Sequence, residues 1–99
     1  MKKEFYALLS DGNGKKLVKK EGDYDATLGV FYHKESDGWS VTDSYSGSSL
    51  LTKQKTKKDA QNALSKFKDK IKEIRNGEKY LQGVINYNEM LEDDTSMPF

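Results

Sequence analysis

Few residue types in this chain could carry out chemistry. It has no cysteine, which excludes a disulfide framework, a thiol nucleophile and a thiolate metal site. It has a single histidine, His33, which excludes any metal site that needs two imidazoles. As a general base, His33 would need a nucleophile and an orienting carboxylate, and the sequence identifies neither. We therefore expect a protein without enzymatic activity and without a cofactor.

Two short segments resemble ligand-binding loops, and both fail on spacing. The segment Asp11–Gly14 begins like a calcium loop, but Lys15 and Gly22 stand at its fifth and twelfth positions, where calcium ligands are needed. The same glycines lack the spacing of a phosphate-binding loop. The pair Asp23 and Asp25 has no third ligand near it in sequence. We predict a hairpin turn at Asp11–Gly14 and no metal site.

The charges are unevenly distributed, although the net charge is only +1. Residues 53–75 contain nine basic and three acidic side chains and have a net charge of +6. Residues 76–99 contain one lysine and five acids and have a net charge of −4. This asymmetry is typical of a surface that binds nucleic acid or another anion, followed by an acidic tail.

The last eight residues carry the most specific signal. Three acids (Glu92, Asp93 and Asp94) precede an apolar end, Met97-Pro98-Phe99. This end resembles the carboxyl-terminal tip of bacterial and phage single-stranded-DNA-binding proteins, in which acids are followed by an aliphatic residue, a proline and a final phenylalanine. The segment departs from that pattern because its acidic run is short, Thr95 and Ser96 interrupt it, and methionine takes the aliphatic position.

The resemblance implies that the tip recruits replication, recombination and repair proteins. A final phenylalanine offers a ring for an apolar pocket and a carboxylate for a basic group at the rim of that pocket. The upstream acids would steer the tip toward basic surfaces. The predicted partner-binding residues are Asp93, Asp94, Met97, Pro98 and Phe99.

The rest of the chain is compatible with such a protein. Binding of a single strand without sequence preference needs cations for the phosphates and flat rings for the bases. The predicted nucleic-acid-binding residues are the rings of Tyr6, Phe31 and Tyr45 and the lysines Lys15, Lys16, Lys19, Lys20, Lys34, Lys53 and Lys55. We therefore predict a single-stranded-DNA-binding protein of a phage or mobile element. We expect it in the cytoplasm and away from membranes, because no apolar run suits a membrane span or a secretory signal.

Two other functions remain open at this point. The protein could be an interaction or inhibitor module that uses Met97-Pro98-Phe99 to occupy the pocket of a host enzyme. It could instead bind duplex DNA, because the strands leading into Thr56–Ala60 resemble the amino-terminal arm-binding domains of some integrases. A homodimer is also open, since a four-stranded sheet with a carboxyl-terminal helix occurs in a dimeric class of single-strand-binding coactivators.

The elements that must position these residues suggest an α+β fold. We predict one domain over residues 1–91, with an antiparallel sheet of four to five short strands, a long carboxyl-terminal amphipathic helix and a second short helix over part of residues 78–91. Residues 92–99 are predicted to form a flexible acidic tail. Alternation predicts strands over 5–9, 15–20, 28–34, 39–44 and 49–53, with a polar loop over 21–27.

The same patterns predict the core. Strand alternation places five residues on one face of the sheet: Leu28, Val30, Tyr32, Trp39 and Val41. The opposite face would then carry Phe31, His33, Ser40 and Thr42. Thr56 is a good helix N-cap and Gly77 a good stop signal. Between them, an apolar stripe is spaced for one continuous helix: Ala60, Ala63, Leu64, Phe67, Ile71 and Ile74.

Overall fold

The computed structural model describes residues 2–11 and 14–96, with side chains described over 2–9 and 14–92. It contains a five-stranded antiparallel sheet followed by three helices, which confirms the predicted α+β class. The elements are β1 (Lys2–Asp11), β2 (Gly14–Asp25), β3 (Val30–Glu35), β4 (Gly38–Asp43), β5 (Ser49–Gln54), α1 (Lys57–Lys66), α2 (Lys68–Arg75) and α3 (Glu78–Ser96). No helix in these ranges is long and apolar enough to cross a membrane.

The strands lie in the sheet in chain order, from β1 to β5, and each pairs antiparallel with the next. The predicted loop over 21–27 is wrong for residues 21–25, because β2 continues to Asp25. The reason is pairing: residues 23–25 of β2 form the ladder with β3, in the register Asp23 to Tyr32 and Asp25 to Val30. The polar side chains of residues 21–25 gave no strand pattern, because this part of β2 is placed in the sheet by backbone pairing.

One face of the sheet packs against the helices and forms the core. Val30, Tyr32 and Val41 are buried there together with Ala60, Leu64 and Ile71 of the helices. Leu28 and Trp39 are partly buried against this cluster. The predicted core face is therefore confirmed.

The opposite face is covered by the β1–β2 hairpin, because the sheet curls strongly. The ring of Phe5 in β1 stacks on Phe31 in β3, with ring centroids 4.2 Å apart. Two strands in a flat sheet that are separated by a third would lie roughly 10 Å apart. Curling also lets the Leu8 amide donate to the Gly47 carbonyl beyond β4, at 2.8 Å. His33, Ser40 and Thr42 are consequently buried as well.

The predicted long helix is broken at Phe67 into α1 and α2. Phe67 has φ −101° and ψ 14°, and its amide donates to the carbonyls of Ala63 and Leu64. The apolar stripe does not face the core along its whole length. The Phe67 side chain is 52% exposed and Ile74 is 44% exposed, which corrects their assignment to the core.

The third helix is longer than the predicted short one, and it ends at Ser96. Asp93 and Asp94, predicted within a flexible tail, therefore lie in the backbone range of α3. Met97, Pro98 and Phe99 lie outside the described residues. The helix is held to the sheet by Tyr80, whose hydroxyl donates to Asp43 at 2.6 Å, and by Tyr87, whose hydroxyl donates to the Tyr6 carbonyl.

Candidate nucleic-acid interface

The structure disperses the three predicted stacking rings. Tyr6 lies half-buried on β1. Phe31 points to the other side of the sheet and is enclosed between Phe5, at 4.2 Å, and Tyr24, at 4.9 Å. Tyr45 is 49% exposed in the β4–β5 connection, where it packs against Gly29 and the Arg75 guanidinium. These rings cannot form one stacking platform.

Several predicted lysines are held in ion pairs. Lys20 donates to Glu35 at 2.6 Å and is largely buried, and exposed Lys19 pairs with Glu4 at the same distance. The carboxylate of Glu4 raises the pKa of Lys19. Lys15 and Lys16 are exposed near the start of β2. The paired lysines are poorer phosphate ligands, since an incoming phosphate must displace a carboxylate.

Lys53 and Lys55 are brought together at the end of β5, in a depression of about 580 Å³. We call this depression the cationic cleft; it is lined by Lys53, Gln54, Lys55, Asp59, Asn62, Ala63, Lys66 and Phe67. Three lysines there face a single aspartate. Among the described residues, Lys53, Lys55 and Lys66 form no ion pair.

The local backbone explains how this cleft forms. Lys53 has φ 60°, in the left-handed region that a side chain enters at a cost of roughly 1–2 kcal/mol. The chain leaves β5 here beside Gly38, whose φ is +130° and whose missing Cβ would lie 2.6 Å from the Gln54 carbonyl oxygen. Glycine at position 38 therefore permits the strand end to approach the β3–β4 turn. Non-glycine residues held in the left-handed region cluster at active sites and ligand clamps.

Lys34 lies at the same end of the sheet. It pairs with Trp39 across β3 and β4, and Trp39 pairs with Gln54 of β5. Two strand spacings put the Lys34 and Gln54 backbones roughly 10 Å apart. Lys34 is exposed, so its charge adds to the field over this end of the sheet.

Lys66 and Phe67 line the cleft but were not predicted from the sequence to bind nucleic acid. The spacing of Phe67 from Leu64 and Ile71 suited a core stripe, but its side chain is 52% exposed at the helix break, and its neighbours in sequence are Lys66 and Lys68. No signal in the sequence marked Phe67 as exposed, since its position fits the same helical spacing as Leu64 and Ile71. An exposed ring flanked by lysines is the pairing that single-strand binding uses.

A second depression, of about 340 Å³, lies under the β1–β2 hairpin and contains His33. The His33 ring bonds Glu35 through Nδ1 and Thr42 through Nε2, both at 2.7 Å. Burial would raise the pKa of Glu35, but its bonds to Lys20 and His33 lower it overall. The order of hydroxyl, imidazole and carboxylate matches a hydrolytic triad. Thr42 is only 2% exposed, however, so the arrangement links strands rather than presenting a nucleophile.

Metal coordination finds no support at either depression. Within the described ranges, no group of three or more histidine, aspartate or glutamate side chains is placed to hold a metal ion. The acidic pair noted in the sequence is separated by its bonds: Asp23 pairs with Lys57 at 3.0 Å, and Asp25 accepts from the Thr27 and Leu28 amides. The hydrogen bond from Lys57 lowers the pKa of Asp23.

Comparisons with protein-family models, with curated proteins and with solved structures found no significant match.

Proposed function

We propose that this chain is a non-enzymatic single-stranded-DNA-binding protein of a phage or mobile element, acting in the cytoplasm. The observation that carries the proposal is the cationic cleft, which is lined by three lysines that form no ion pair among the described residues and by an exposed aromatic ring. The lysines would hold successive phosphates, and the Phe67 ring would stack on a base. Both contacts are independent of base sequence, so we expect weak sequence preference.

The proposal has a second part, which concerns recruitment. The resemblance of the chain's end to the tips of single-stranded-DNA-binding proteins supports a docking role for Asp93, Asp94, Met97, Pro98 and Phe99. The proposed partners are replication, recombination and repair proteins. Deleting residues 92–99 should abolish capture of such partners and leave oligonucleotide binding intact; capture that survives the deletion would refute this part.

The binding part is tested with labelled oligo-dT, with fluorescence anisotropy measured over a series of salt concentrations. Three lysines are neutralised together in one variant: Lys53→Asn, Lys55→Gln and Lys66→Gln. Asparagine is chosen at position 53 because it tolerates a left-handed backbone. Each lost phosphate contact should lower the slope of log affinity against log salt by about 0.7, so the slope should fall by about 2. Counterion release alone then predicts binding roughly 100-fold weaker at about 0.1 M salt, relative to a common value near 1 M.

A matched variant removes the same charge elsewhere: Lys2→Gln, Lys72→Gln and Lys79→Gln. These lysines are exposed and do not line the cleft. We expect a much smaller change in slope from this control. Equal losses in the two variants would show general charge attraction instead of a site. Failure of the unaltered protein to bind any oligo-dT at low salt, or a preference for duplex, would refute the proposal.

A further inference from the structure

Phe67 also lines a separate, apolar depression. We call this the apolar groove; its volume is about 250 Å³, and its lining consists of Leu50, Leu51, Leu64, Phe67, Lys70, Ile71 and Ile74. Among the described residues of that lining, Lys70 is the only polar one. Strand β5 supplies one wall and the junction of α1 and α2 supplies the other. The ring of Phe67 is thus a shared wall between the cationic cleft and the apolar groove.

The groove is open to solvent at the α1–α2 junction. Phe67 and Ile74 stand about half exposed at its rim, while Leu64 and Ile71 are buried at its base. Exposed apolar surface that is contiguous and bordered by charge commonly marks a binding site. An apolar groove beside lysine ammonium groups would suit a ligand with a flat uncharged part and an attached anion.

The cation at the rim is available to such an anion. Lys70 has a weak ion pair with Glu73, at 4.0 Å, in which both side chains are highly exposed. Pairs of this kind contribute little free energy, so Lys70 can exchange its partner. Lys66, which lies immediately before Phe67, provides a second cation on the cleft side.

We infer that the apolar groove accepts one unpaired base of the strand whose backbone crosses the cationic cleft. This inference rests on the proposed function. A base attached to a phosphate near Lys66 or Lys70 would enter beside the Phe67 ring and contact Ile74 and the leucines of β5. A base within a duplex is paired and stacked, and extruding it costs a few kcal/mol. The groove would therefore give the site its selectivity for single strands.

The test uses three labelled ligands of equal length: oligo-dT, an oligomer of abasic sites, and a duplex. The groove variant is Ile74→Gln, which alters an exposed side chain and should leave the fold intact. The matched control is Leu81→Gln, because Leu81 is similarly exposed, lies on α3 and does not line the groove. Dissociation constants are measured for all three proteins by fluorescence anisotropy.

We expect Ile74→Gln to weaken oligo-dT binding about five- to tenfold and to leave abasic binding unchanged, so that the preference for oligo-dT over abasic and duplex ligands shrinks. Leu81→Gln should leave the binding of both oligo-dT and the abasic oligomer unchanged.

Two results would overturn the inference while the proposed function stands. In both, oligo-dT binds the unaltered protein, and Ile74→Gln weakens the binding of oligo-dT and of the abasic oligomer equally or weakens the binding of neither ligand. If no ligand binds any protein, the proposed function itself fails. A change in oligomeric state caused by Ile74→Gln, seen by sedimentation, would assign the groove to a second copy and overturn the inference.

Discussion

Asp43 is the residue on which the attachment of the helices to the sheet depends most directly. It is 1% exposed at the end of β4. Arg75 of α2 donates to its Oδ1 at 2.5 Å, and the Tyr80 hydroxyl of α3 donates to its Oδ2 at 2.6 Å. The amide and hydroxyl of Ser46 also donate to Oδ2. One carboxylate therefore joins α2, α3 and the β4–β5 connection.

Replacing this carboxylate with an amide, Asp43→Asn, should destabilise the fold severely. Asparagine keeps one acceptor oxygen, so its NH₂ group must face either Arg75 or the donors of Tyr80 and Ser46. Removing one member of a buried ion pair costs about 3–5 kcal/mol. The Arg75 side chain is 23% exposed and can partly recover hydration, so we expect about 3 kcal/mol. Because a domain is stabilised by roughly 5–15 kcal/mol in total, this loss is large.

The measurement is urea unfolding, followed by circular dichroism. Asp37→Asn serves as the control, since Asp37 is exposed in the β3–β4 turn, and it should change stability by less than about 0.5 kcal/mol. The double variant Asp43→Asn with Arg75→Met should be more stable than Asp43→Asn alone, because no buried charge is then left unpaired. A loss below about 1 kcal/mol for Asp43→Asn would refute the assignment of Asp43 as the anchor.

Three further changes test separate parts of the fold. Burial and the nearby Asp25 carboxylate raise the pKa of Tyr32 from 10.0 to about 12. The contribution of the Tyr32 hydroxyl to the free energy of unfolding should therefore be complete below pH 10 and lost between pH 10 and 12. Unfolding free energy measured across that window should fall, less so for Tyr32→Phe, and a flat profile contradicts this. Gly38→Ala should destabilise more than Gly14→Ala in urea unfolding, because both have positive φ but only Gly38 is crowded; equal losses contradict it. Thr56→Ala should cost about 1 kcal/mol through loss of the N-cap bond to the Asp59 amide, and an unchanged urea midpoint contradicts it.

In the sheet, sequence patterns predicted which residues face the core but not where every strand ends. Val30, Tyr32 and Val41 were predicted to face the core, because alternation on a half-buried strand reports which side faces the core. The extension of β2 through Asp25 could not be predicted in the same way. Its side chains are mostly polar, and its place in the sheet depends on backbone bonds to β3, which leave no pattern in the side chains. The Asp43 network was missed for a similar reason, since Arg75 is 32 positions away in sequence.

The candidate site shows a different limit. Lys53 and Lys55 were predicted to contact nucleic acid, and the structure brings them together. Phe67 was predicted to be buried, because a 3.6-residue period was extended over a segment that the fold divides. Helical spacing predicts which residues share one face of a helix but not how much of that face the rest of the fold covers, and nothing in the residues 64–71 specifies the break at Phe67.

The arrangement of layers decides where a nucleic acid could bind. Helices cover one face of the sheet, and the β1–β2 hairpin covers the other, with Phe5 seated on Phe31. A nucleic-acid strand bound across either face of the sheet would have to displace this packing. The end of β5 and the α1–α2 junction require no such displacement, because the rim side chains there are exposed in the folded state. Substitutions at Lys53, Lys55 or Ile74 therefore test binding without testing the core, whereas substitutions at Asp43 do the reverse.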